Sequence, residues 1–122
     1  MKKYNIQNYV RYKKEIDKLS RKLETKDWND CDRDELIIKF LPLVENLARK
    51  FATSQQASGV MSILDLIQEG GAGLTHAVDR IDREILLESE DQVKTLKSFL
   101  SKRIKGAIRR GIDINRGDMR IP

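Results

Sequence analysis

Cysteine and histidine are nearly absent, with one of each in 122 residues. A lone Cys31 cannot close an internal disulfide, and it suits a reducing cytoplasm. Asp30, Asp32 and Asp34 stand near it, but no histidine or second cysteine does, so the cluster is not a zinc site. Proline occurs twice and glycine seven times, which leaves little room for long coil. No apolar run approaches the roughly 20 residues of a membrane span. The N-terminus, MKKYNIQNYVRYKK, is basic without the apolar core of a signal peptide. The expected class is therefore one small domain with no membrane partner.

Catalytic groupings are equally scarce. His76 has no nucleophile beside it in the sequence and reads as a surface residue. GGAG at 70–73 lacks the Lys-Ser/Thr ending and the preceding strand of a phosphate loop. Asp65 and Glu69 lie four apart on one helix face, but no ligand set surrounds them. The expectation is a non-enzyme that needs no cofactor and no metal.

What the chain does have is charge, at 35% of residues, unevenly placed. The net charge is +5 over residues 1–24, −7 over 25–93 and +7 over 94–122. A basic end beside an acidic middle suggests two partners, a polyanion for one and a basic protein surface for the other.

Apolar spacing of three and four recurs along the chain and predicts an all-α domain of about four helices. Tyr4, Tyr9, Tyr12, Ile16, Leu19 and Leu23 mark the first, over 4–24. TKDWNDCDRDE at 25–35 is a polar break, with Trp28 as a packing anchor and Asp32 or Asp34 as the next cap. Residues 1–35 thus form a basic helix and linker ahead of the remainder, 36–122. Ile37, Phe40, Leu41, Val44, Leu47, Ala48 and Phe51 mark the second helix, over 36–52, where Pro42 imposes a kink or restart. TSQQASG at 53–59 is a loop. A third helix spans 62–82 with Ser62 as its cap. Its three central glycines at 70, 71 and 73 mean a break or a close approach to its backbone. Residues 83–93 are acidic and fit either an extension or a loop. The fourth helix, 94–112, has Leu96, Phe99, Leu100, Ile104, Ala107 and Ile108 as its core face and cations elsewhere. Residues 113–122 read as a polar tail. By period alone Phe99 is a core residue; among so many cations it is also a candidate for stacking on bases.

The stretch DLIQEGGAGLTHAVDRID, residues 65–82, resembles the signature of region 2 of bacterial RNA polymerase sigma factors, close to DLIQEGNIGLMKAVDKFD. The two differ at Gly71, Ala72, Thr75, His76, Arg80 and Ile81 and agree elsewhere without a gap. LPLVENLARKF at 41–51 and KRIKGAIRR at 102–110 look like the flanking helices of that region, and MRIP at 119–122 resembles its exit. The resemblance covers about residues 36–122. It implies a sigma region 2-like fold and a role in transcription initiation, with no enzymatic activity of its own.

It also implies partners. The signature helix would dock on the coiled coil of the β′ clamp of core RNA polymerase through Asp65, Gln68 and Glu69, with Gly71 and Thr75 at the margin. The following helix would bind −10 promoter DNA through Phe99, Lys102, Arg103, Lys105, Gly106, Arg109 and Arg110, capturing flipped bases as the duplex opens. Phe99 falls where the family has an aromatic wedge. Lys102 and Arg103 fall where primary sigma factors have a tryptophan pair, and Leu96 where a second aromatic stands. The acidic segment after Asp82 is longer than usual and would repel a single strand. Such a chain could instead occupy the clamp as a decoy, or bind nucleic acid generally. Its brevity suggests a phage or mobile element in a bacterial cell.

Overall fold

A computed structural model describes residues 13–53 and 61–120, with side chains in the last helix as far as Ile114. The described chain is all-helical: α1 Lys13–Glu24, a 3-10 turn Trp28–Asp30, α2 Arg33–Ala52, α3 Ile63–Asp79, α4 Arg83–Glu88 and α5 Gln92–Arg120. Residues 4–12 of the predicted first helix, and nearly all of the 53–59 loop, lie outside the described residues.

Side-chain caps set the starts. The Asp32 carboxylate accepts from Glu35 N at 2.8 Å, and Glu35 Oε1 accepts from Asp32 N at 3.1 Å, so two orphan amides at the start of α2 are satisfied together. Ser62 and Asp65 form the same reciprocal box at α3. Asp82 Oδ1 accepts from Glu84 N and Ile85 N. The signature helix therefore stops at Asp79, three residues short of expectation, because Asp82 caps a new helix. The acidic stretch becomes the separate six-residue α4. Pro42 sits on the exposed side of α2, which runs through it to Ala52.

The predicted tail is not a tail, since α5 continues through Arg120. The apolar period that predicts a helix over 94–112 ends at Ile112. A helix already anchored by Leu96, Leu100, Ile104, Ile108 and Ile112 can propagate through polar residues at little further cost.

One core joins all the helices except for their outer faces. Ile16 of α1, Trp28 and Cys31 are buried with Leu36, Leu41 and Val44 of α2, Leu66 and Leu74 of α3, Leu86 of α4 and the α5 row. Residues 13–35 thus pack as part of the same body. On α2, Leu36 and Ile38 are buried while Ile37 and Phe51 are half-buried, a modest rotation from the expected face. Trp28 is 1% exposed, and its Nε1 donates to Gln92 Oε1 at 3.2 Å, so the anchor ties the interhelical link to the start of α5. Burial pushes the Cys31 thiol up from its ordinary range, which disfavours the reactive thiolate.

The α3 glycines belong to this packing. A Cβ on Gly73 would lie 2.6 Å from Ala107 Cβ and 3.0 Å from Arg103 O. One on Gly70 would lie 3.0 Å from Val44 Cγ1 and 3.2 Å from Ile108 Cδ1. The helix is unbroken, and what approaches its backbone is α5.

Candidate functional site

At about 100° per residue, α3 divides cleanly. Leu66, Ile67, Gly70, Gly71, Gly73, Leu74, Ala77 and Val78 face inward. Asp65, Gln68, Ala72, His76 and Asp79 are exposed, and Glu69 and Thr75 half-buried. Four of the five residues proposed for docking thus share one outward stripe. Gly71 does not: it is buried, and its carbonyl accepts from Thr75 Oγ1 at 2.9 Å. Asp65 has a second task, since its Oδ2 accepts from Ser62 N at 3.2 Å. Removing the carboxylate would take away half of the α3 capping box as well as alter its surface.

Glu69 is not a freely projecting acid. Its Cγ and Cδ lie 2.8 and 3.0 Å from the point where a Cβ on Gly111 would stand. The missing side chain at Gly111 makes room for this carboxylate, which lies against α5. At the far end of the stripe, Asp79 accepts from Arg33 Nε and, at 3.1 Å, from Nη2. The Arg33 hydrogen bond holds the Asp79 carboxyl below its ordinary range. Lys26 does the same for Glu35 through a 2.8 Å bond.

The residues expected from the resemblance to contact DNA divide into three groups. Phe99, Arg103 and Arg110 flank the core row on the α3 side. Lys102 and Gly106 run along the outermost line, and Arg109 lies on the side towards α2. Lys105 lies on the opposite flank, so the structure does not group it with Phe99. Phe99 is half-buried against the core, and the Arg103 guanidinium covers its ring at 5.3 Å from the centroid. The core reading of Phe99 holds in part, because the ring packs against the core and Arg103 lies over it. Arg109 stands 5.7 Å from the Phe51 centroid. Around Gly106 a Cβ would meet nothing within 4 Å.

A groove of about 440 Å³ runs between α3 and α5. Its lining includes the small residues Gly73, Ala77, Ala107 and Gly111, together with Glu69, His76, Arg80, Arg103 and Arg110. Sequence reasoning missed Arg80 and His76 as neighbours of the α5 arginines. The signal was available, since the Gly-x-x-x-Ala spacing of 73 and 77 permits close helix packing and places position 80 one turn on.

Among the described residues no group of three or more His, Cys, Asp or Glu side chains could hold a metal ion, and no helix is long and apolar enough to cross a membrane. The fold and surfaces define an all-α body with an acidic-polar stripe on one helix and a cationic, aromatic-bearing face on the next. No family model, curated protein or solved structure matches the chain.

Proposed function

We propose that this protein is a sigma region 2-like transcription initiation factor that binds core RNA polymerase through α3 and −10 promoter DNA through α5. The observation that carries this reading is the juxtaposition of two unlike faces on two tightly packed helices. One face offers Asp65, Gln68, Glu69 and Thr75 to a basic protein surface. The other offers Phe99, Lys102, Arg103, Gly106, Arg109 and Arg110 to DNA. The uninterrupted signature at 65–82 supports the same assignment.

The chemistry is recognition rather than bond making. Carboxylate hydrogen bonds to arginine or lysine are among the stronger contacts available to a docking surface. On α5, the guanidinium stack over Phe99 is the kind of contact an unpaired base can replace, because ring and base present matching π-faces. The open backbone at Gly106 lets a phosphate or base edge come close to the helix.

A second reading has its own support. Arg103 already occupies the Phe99 ring, and the acidic run from Asp82 to Asp91 precedes α5. Both features would oppose strand capture and suit a decoy that holds the clamp without opening DNA.

The test is retention of purified core polymerase by the wild type and by Asp65→Asn/Glu69→Gln, which removes two charges while keeping a capping acceptor. Retention by the wild type alone is expected. Absence of retention by the wild type sinks the proposal. With docking in hand, Phe99→Ala should weaken binding to a bubble template more than to duplex; a wild type that ignores both templates leaves the decoy.

A further inference from the structure

We propose that the groove between α3 and α5 is a binding site for a guanine nucleotide, with the phosphates held at one end and the base at the other. Such a site needs neither polymerase nor promoter and acts on the free protein.

The close approaches of the two helices give the groove a direction. Glu69 lies against Gly111, whereas Gly73 faces Ala107 and the Arg103 carbonyl, so α3 and α5 run antiparallel along it. Arg103 therefore stands across from the C-terminal half of α3, where His76 and Arg80 line the same groove. Three side-chain donors from two helices converge on that end. Glu69 and Arg110 line the other end, beside the exposed Ile114. From Arg103 to Gly111 the helical rise gives about 12 Å. Between the ends, the floor is Gly73, Ala77 and Ala107, which project little or nothing into it.

Each part narrows the occupant. Arginine forks take phosphate oxygens in pairs, and cations drawn from both walls fit a cluster of phosphates better than a single charge. The Phe99 ring steadies the Arg103 guanidinium, 5.3 Å from its centroid, and a guanidinium stacked by its face keeps its N–H edges for an anion. The small-residue floor leaves an apolar slot for a flat ring, and a groove of about 440 Å³ is of the size that holds a small ligand. Glu69 excludes a continuing phosphate chain, because its carboxylate would repel the next phosphate. What it accepts is a pair of N–H donors. Guanine offers two side by side on N1 and the 2-amino group, and it offers O6 and N7 to an arginine such as Arg110. Adenine carries an amino donor where guanine has O6, so it would set a donor against Arg110 and lose the pairing with Glu69.

Calorimetric titration of GTP, ATP, tripolyphosphate and a single-stranded DNA oligomer into the free protein tests this, after unfolding curves show each variant folded. One GTP per chain is expected, bound at least about tenfold more tightly than ATP or tripolyphosphate, the effect of losing one hydrogen bond to a charged group. Arg80→Gln/Arg103→Gln should abolish binding, whereas Lys94→Gln/Lys97→Gln, with the same loss of charge outside the groove, should leave it unchanged. Ala72→Trp fills the groove from its exposed rim and should exclude GTP without altering charge. Glu69→Gln should erase the preference for GTP over ATP. Absence of GTP binding by the wild type overturns the proposal. So does an equal loss in the arginine and lysine variants, which would mean diffuse attraction, or tripolyphosphate binding as tightly as GTP, which would leave the base no role. A single strand that displaces GTP and is itself excluded by Ala72→Trp would also overturn it, by making the groove a strand site.

Discussion

Gly111→Ala should leave the protein as stable as before and still weaken polymerase docking. The added Cβ would stand 2.8 Å from Glu69 Cγ, 3.0 Å from Cδ and 3.3 Å from Oε2. Comfortable carbon–carbon separation is about 3.5–4.0 Å, so the Glu69 side chain must retreat by roughly 1 Å. It is long, half-buried and open to solvent at one edge, and a new rotamer costs about 0.5–1.5 kcal/mol. Replacing glycine with alanine inside a helix returns about 1 kcal/mol. The two nearly cancel, and the melting temperature should move by no more than about 4 °C. A re-aimed carboxylate forfeits a charge-assisted bond worth about 1.5–3 kcal/mol. That corresponds to a loss of roughly ten- to a hundred-fold in affinity. Thermal unfolding and titration of core polymerase on the same sample separate the two effects. A large fall in melting temperature would mean that Glu69 cannot move aside. An unchanged affinity would mean that Glu69 does not touch the polymerase.

Two other glycines should behave in opposite ways. Gly73→Ala has no flexible neighbour to displace, only Ala107 Cβ and the Arg103 carbonyl, and overpacking of this kind costs about 1–3 kcal/mol or more in unfolding free energy. Gly106→Ala meets open space, so it should stabilise the fold by about 1 kcal/mol, and it should reduce DNA binding if a backbone or base edge approaches there. Acid should also weaken the fold. Glu35 and Asp79 have carboxyls lowered from their ordinary values of 4.5 and 3.8 by Lys26 and Arg33, so what they contribute is complete above about pH 4.5 and lost as pH falls through their folded values. Lys26→Met/Arg33→Met should flatten the acid side of a stability–pH curve; an identical curve would show that neither pair contributes.

The sequence was most informative where one residue does one local job. Asp32 and Ser62 cap because short oxygen-bearing side chains ahead of an apolar run have few alternatives. Trp28 stood out as an anchor because a large aromatic in a polar link has little else to pack. Apolar period located the α5 core but not its end, because a helix can outlast its buried face. The same period says which residues are outside without saying what lies beside them. The resemblance groups Lys105 with Phe99, although 100° of turn per residue puts it on the other flank. The burial of Gly71 and the seat of Glu69 over Gly111 depend on where α5 crosses α3, a relation between residues some 40 apart that no local spacing encodes.

The small residues at positions 73 and 107 have a mechanical result. With no Cβ on Gly73 and only one carbon on Ala107, the axes of α3 and α5 approach so closely that neither helix has room to roll or slide on the other. A partner that grips α3 thereby sets the bearing of α5. Under the proposed function, orientation would pass from one surface to the other without a hinge or a lever, and the alignment of the DNA would be inherited from the polymerase.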